Sequence, residues 1–135
     1  MSAINLTKHF SEGSNGSIRL LNSTSWIVAG NSWNYVTTGA TEIDQWFVGG
    51  YSAAQYTIVA EFGVGNREIL TCLVTASDND AGIAVYGRSN LGIDLITLTA
   101  TVDNAQLKLF AAPADPTLTG IKINKIATYF EASNT

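Results

Sequence analysis

Acidic side chains two residues apart, Asp78 with Asp80 and Glu42 with Asp44, come nearest in type and spacing to catalytic chemistry in this chain. A pair of carboxylates about 5–10 Å apart can hydrolyse a glycoside, one as acid and the other as nucleophile or base. The same spacing is ordinary in turns and strands, where such groups are simply solvated. A nucleophile system is no better placed. His9 is the single histidine, and it stands in an expected arm, remote in the chain from the core groups it would have to activate. The chain therefore reads as non-enzymatic, with no catalytic residues.

Ligand-holding motifs stop short as well. Asp78-Asn79-Asp80 begins like a calcium loop, but Gly82 comes one position early and Ser89 stands where a bidentate acid closes that pattern. Gly63-Val64-Gly65 has Glu68 at the third glycine position and a strand pattern after it, unlike a phosphate cradle. Cys72 is the only cysteine, which rules out an intrachain disulfide and a thiol-held zinc. It shares a strand face with Leu70 and Val74 and reads as a small buried apolar residue. No metal and no cofactor is expected.

Binding rests on the aromatic residues. Trp26, Trp33 and Trp46 fall within 21 residues, with Tyr35, Tyr51 and Tyr56 close by. Exposed rings of this kind stack on sugars, so a host-surface glycan or receptor is the rival ligand. The plainer reading places them in the core or in a subunit interface, because Trp26 sits within Trp26-Ile27-Val28-Ala29 and Trp46 adjoins Phe47. Trp33 and Tyr35 are taken as interface candidates.

These residues need a scaffold, and the composition describes one. The chain has 135 residues, 46% of them hydrophobic and only 13% charged, about half the usual charged share. Thr, Ser and Asn carry the polar load, and a surface poor in charge suits packing against copies or partners. The net charge of −4 comes without a basic cluster, which argues against nucleic-acid binding. The N-terminus lacks the apolar core of a secretory signal, and no run of about eighteen apolar residues could span a bilayer. Synthesis in a cytosol and no membrane partner are the expectations.

Strand patterns follow one another at short intervals. Residues 1–16 end in Ser11-Glu12-Gly13-Ser14-Asn15-Gly16 and read as a flexible N-terminal arm, leaving residues 17–135 as a single domain. Short strands are expected at Ser17–Leu21, Ser25–Ala29, Trp33–Thr38 and Glu42–Val48. Ala54–Phe62 alternates, with Tyr56, Ile58, Ala60 and Phe62 on one face. Glu68–Ala76 returns antiparallel, and a short strand Ile83–Tyr86 ends at Gly87. Gly120–Phe130 is the last strand, and its change of apolar parity calls for a bulge near Asn124-Lys125.

The clearest element is Leu95–Ala112, a hairpin. With Asp103-Asn104 as its turn, Val102 faces Ala105, Ala100 faces Leu107, Leu98 faces Leu109 and Ile96 faces Ala111. Its other side carries Thr97, Thr99, Thr101, Gln106 and Lys108, flanked by Leu95 and Phe110, a nearly uncharged ladder suited to a neighbour. The predicted architecture is all-β, an antiparallel β-sandwich of jelly-roll-like type with the flexible arm. The interface candidates on the hairpin are Thr97, Thr99, Thr101, Gln106, Lys108 and Phe110.

Five segments carry a family likeness: Asp44-Gln45-Trp46-Phe47, Tyr51-Ser52-Ala53-Ala54-Gln55-Tyr56-Thr57-Ile58, Glu68-Ile69-Leu70, Val85-Tyr86-Gly87 and Leu107-Lys108-Leu109-Phe110-Ala111. Through them the chain from Asp44 to Phe130, about two-thirds of its length, resembles a β-rich module of virion structural proteins in tailed bacteriophages, particularly the contractile-tailed phages of cyanobacteria. The resemblance implies a non-enzymatic building block of a phage particle, found in tail, neck, fibre or capsid decoration, and hence located in the virion. Its expected partners are further copies of itself, with three as the guessed number, and other virion proteins reached through the arm.

Overall fold

Strict alternation builds the centre of the molecule. In Tyr51–Phe62 the residues Ala54, Tyr56, Ile58 and Ala60 are buried while Gln55, Thr57, Val59 and Glu61 point the other way, as the sequence pattern predicts. Asn66–Ala76 continues it, with Glu68, Leu70, Cys72 and Val74 inward. The computed structural model describes residues 10–12, 18–20, 25–29, 34–36 and 38–133.

The strands are β1 (Phe10–Glu12), β2 (Ile18–Leu20), β3 (Ser25–Ala29), β4 (Asn34–Val36), β5 (Thr41–Phe47), β6 (Tyr51–Phe62), β7 (Asn66–Ala76), β8 (Ala81–Asn90), β9 (Ile96–Asp103), β10 (Gln106–Pro113) and β11 (Ile121–Glu131). The large sheet runs β1-β2-β3-β11-β6-β7-β8, with β4 also on β11, and the small sheet runs β5-β10-β9. All pairings are antiparallel. The fold is an all-β sandwich, and the core lies between the two sheets. Leu107 and Leu109 are fully buried against Tyr56, Ile58, Leu70 and Ile123 in one cluster. Truncating either leucine to alanine removes about 2–5 kcal/mol of stability.

The expected arm contains β1, which pairs with β2 through Phe10 to Leu20 and Glu12 to Ile18. The rest of residues 1–16 lies outside the described residues.

Four expectations are corrected. The hairpin turns one residue later than Asp103-Asn104: Asn104 and Ala105 hold φ of 51° and 62°, and Asp103 pairs with Gln106, Val102 with Leu107, Ala100 with Leu109 and Leu98 with Ala111. A two-residue turn of this twist needs positive φ at both central positions, which asparagine tolerates best after glycine. Because each partner moves by two residues, the apolar set stays on the inner face. Leu95 is not on the outer ladder but fully buried, ahead of the strand, where its N–H bonds to the Glu68 carboxylate.

The third correction concerns β11, which runs in unbroken register against β6 from Lys122 to Phe130, with no bulge at Asn124-Lys125. The parity change is real, and it places Ile126 and Phe130 on the outside. What changes at this point is the neighbour on the other edge, from β4 opposite Ile121–Ile123 to β3 opposite Ile126–Phe130. Lastly, β8 does not end at Gly87. The strand bulges at Tyr86 and continues to Asn90, and Gly87 lies so near β7 that an added Cβ would stand 2.6 Å from Thr71 Oγ1. That glycine marks a close approach within a strand rather than a turn.

Candidate interaction surface

Two inward carboxylates join the sheets and so position everything on the outside. Asp44 of β5 accepts hydrogen bonds on Oδ2 from the hydroxyls of Tyr56 (2.6 Å) and Tyr129 (2.5 Å), both in the large sheet. Trp46 Nε1 donates to the Tyr56 oxygen at 2.9 Å, and Tyr51 stacks on Tyr129 at 4.9 Å. Burial, helped by the negative charge of Asp44, pushes the Tyr56 and Tyr129 hydroxyls well above the usual tyrosine range. These phenols stay protonated as donors.

Glu68 of β7 is the second joint, and it is buried. Its carboxylate takes Arg88 Nη1 at 2.8 Å, Asn90 Nδ2 at 3.0 Å and the backbone N–H groups of Leu95 and Ile96 at 3.2 and 3.3 Å. Arg88 also donates to the Ile96 carbonyl at 3.1 Å. The start of β9 is thereby clipped to β7 and β8. Both acids accept hydrogen bonds from fixed donors and so act as joints between the sheets.

Asp78 and Asp80 are exposed on the β7–β8 turn, closed by Ser77 N–H to the Asp80 carbonyl at 2.9 Å. Glu42 is exposed on β5, whereas Asp44 on the same strand is held inside by Tyr56 and Tyr129. Among the described residues no three His, Cys, Asp or Glu side chains converge as a metal site requires. Cys72 is buried, as its strand face predicts, and burial pushes its thiol up to about 11.

The hairpin ladder forms the outer face of the small sheet. Thr97, Thr99 and Thr101 are exposed, and Gln106, Lys108 and Phe110 are half-buried beside them. Register places Gln106 opposite Phe47, Lys108 opposite Gln45 and Phe110 opposite Glu42. The structure therefore brings these six candidates together on one face. The face also carries Glu42 and Asp103, and Lys108 Nζ reaches Asp103 Oδ2 at 3.4 Å. Trp33 lies outside the described residues, and Tyr35 is placed only by its pairing with Lys122. Trp46 and Tyr56 are buried, so they offer no platform to a sugar.

The outer face of the large sheet is of another kind. Register sets its outward residues in rows across β11, β6, β7 and β8: Asn124, Val59, Ile69 and Ser89; Ile126, Thr57, Thr71 and Gly87; Thr128, Gln55, Leu73 and Ala84; Phe130, Ala53, Thr75 and Gly82. None is charged. Ile69 is 45% exposed, Leu73 46%, Ile126 51% and Phe130 39%. Tyr86 leans over the same face, its hydroxyl accepting from Gln55 Nε2 at 3.0 Å. Exposed apolar side chains grouped on a sheet face are the kind of surface at which partners bind.

Sequence reasoning missed Ile69, Leu73, Tyr86, Ile126 and Phe130 as surface residues. The available signal was apolar character on both parities of β7 and β11, which a half-solvated strand lacks.

Two phage tailspike proteins are among the solved structures similar to this chain. One is the tailspike of Acinetobacter baumannii phage AM24, at 7% identity and a TM-score of 0.49 over 81% of this chain and 27% of that one. The other is the tailspike of Acinetobacter phage vB_ApiP_P1, at 14% identity and a TM-score of 0.40 over 92% and 24%. The chain thus spans about a quarter of the length of these proteins. No family model and no curated protein matches it. Among the described residues no helix is long and apolar enough to cross a membrane.

Proposed function

We propose that this chain is a non-enzymatic structural subunit of a bacteriophage virion, a β-sandwich that packs with copies of itself and is docked on the particle by residues 1–16. The observation that carries the reading is the large sheet's outer face, four uncharged rows with Ile69, Leu73, Ile126 and Phe130 partly exposed. A subunit surrounded by neighbours needs such a surface, whereas an isolated domain in water gains nothing from it. The residues from Asp44 to Phe130 that resemble phage virion modules agree with it, as do the two inward acids, whose carboxylates tie the two sheets together. Labelling the subunit on the particle tests the proposal. Label at one defined position on tail, neck, fibre or capsid is the expected result. Particles without label, together with turnover of a host polysaccharide by the isolated chain, would overturn it.

A further inference from the structure

Across β11, β6, β7 and β8 the outer face of the large sheet carries its charge at its two ends, and the two ends differ in sign. Where β6 meets β7, the last row holds Lys122, Glu61 and Arg67, with Arg67 Nε 3.2 Å from Glu61 Oε1. Beyond the Phe130 row at the opposite end stand Asp78 and Asp80, exposed on the β7–β8 turn. One end is net basic and the other net acidic, with the uncharged rows between them.

We propose that this face binds the same face of a second copy, about a two-fold axis that lies between the sheets and runs across the strands. That axis lays β7 over β7 and β11 over β11 in opposite directions. Arg67 of one copy then lies over the acidic β7–β8 turn of the other, and the two-fold repeats that match at the opposite end. In the middle, Ile69 lies over Leu73 and the two Ile126 side chains lie near the axis. Turning the axis along the strands instead would set like charges together at each end. Four strands about 4.8 Å apart and five rows about 6.8 Å apart cover roughly 500 Å² per copy, so the pair reaches roughly the 1,000 Å² that a specific interface needs.

This contact deepens the reading of a virion subunit by naming the first partner of its apolar face, and it replaces the guessed three-fold arrangement with a two-fold one.

Sedimentation of the full chain over a concentration series, with circular dichroism to confirm folding, tests it. The expected species is a dimer, weakened at least a hundredfold by Leu73→Arg or Ile126→Arg and unchanged by Thr99→Arg on the opposite sheet. Arg67→Glu weakens the dimer about tenfold, and adding Asp80→Arg restores it. A monomer at every concentration, a trimer, or a dimer lost in Thr99→Arg but kept in Leu73→Arg and Ile126→Arg would overturn the proposal. A chain that stays monomeric yet labels the particle at one position overturns the dimer and leaves the virion reading standing.

Discussion

The two outer faces of this sandwich are built on the same alternation and end up with opposite characters. On the small sheet, the outward rows set Phe47 and Phe110 among threonine, glutamine and charged groups, and Lys108 meets Asp103 at 3.4 Å. Gln45 Nε2 likewise reaches Gln106 Oε1 at 3.4 Å. On the large sheet the rows across β11, β6, β7 and β8 set isoleucine, leucine, valine and phenylalanine among threonine, asparagine, glutamine and serine, with charge at the ends. A low charge content averaged over the chain conceals this division. The difference teaches that the assembly surface is found by the kind of residue at outward register positions, not by the presence of an alternating strand.

The contrast presumes one rigid interior beneath both faces, and the Glu68 joint is where it breaks most easily. Glu68→Ala leaves Arg88 without its buried partner and the Leu95 and Ile96 N–H groups without an acceptor. The expected loss is about 3 kcal/mol of unfolding free energy in denaturant titration. The Asp44 joint is weaker because its donors are neutral. Tyr129→Phe removes one hydrogen bond to Asp44 and lowers stability by about 1.5 kcal/mol in the same titration.

The tyrosines also set an alkaline sign. The folded chain holds the Tyr56 and Tyr129 protons more tightly than the unfolded chain does, so their contribution is whole below pH 10.0 and is lost as pH rises above it. Denaturation midpoints measured across that range should fall less steeply in Tyr129→Phe.

Smaller changes on each side sharpen the contrast. On the large sheet, Gly87→Ala drives a Cβ toward Thr71 Oγ1, 2.6 Å away, and lowers stability by about 1 kcal/mol; adding Thr71→Ala recovers most of that loss. At the tip of the small sheet, Ala105 sits at φ 62°. Ala105→Gly relieves that conformation and raises the thermal midpoint by the equivalent of somewhat under 1 kcal/mol, offset in part by the lost methyl. Ala105→Gly lies on the other sheet and leaves self-association unchanged, whereas Gly87→Ala and Thr71→Ala stand in the Ile126 row, so their effect on folding is read on dilute, monomeric samples.

Much of the interior was legible in the sequence. Tyr56, Ile58 and Ala60 announce the inner side of β6, and Leu98, Leu107, Leu109 and Ala111 that of the hairpin, because their neighbours are polar. The surface was less legible for the same physical reason. On β7 and β11 the outer residues Ile69, Leu73, Ile126 and Phe130 are as apolar as the inner ones, so alternation loses contrast, and a bulge seemed needed to bring Ile126 inward. Glu68 was hidden differently: a lone acid in a strand reads as solvated, and its partners Arg88, Asn90, Leu95 and Ile96 stand 20 to 28 residues away.

The central proposal is that the large-sheet face is the one that pairs with a second copy. Radical footprinting of side chains in dilute and concentrated samples measures this directly, since Phe130 and Tyr86 report one face and Phe47, 53% exposed, reports the other. The account predicts that Phe130 and Tyr86 lose reactivity severalfold on concentration while Phe47 keeps it. Equal reactivity at both concentrations, or protection of Phe47 alone, would contradict it.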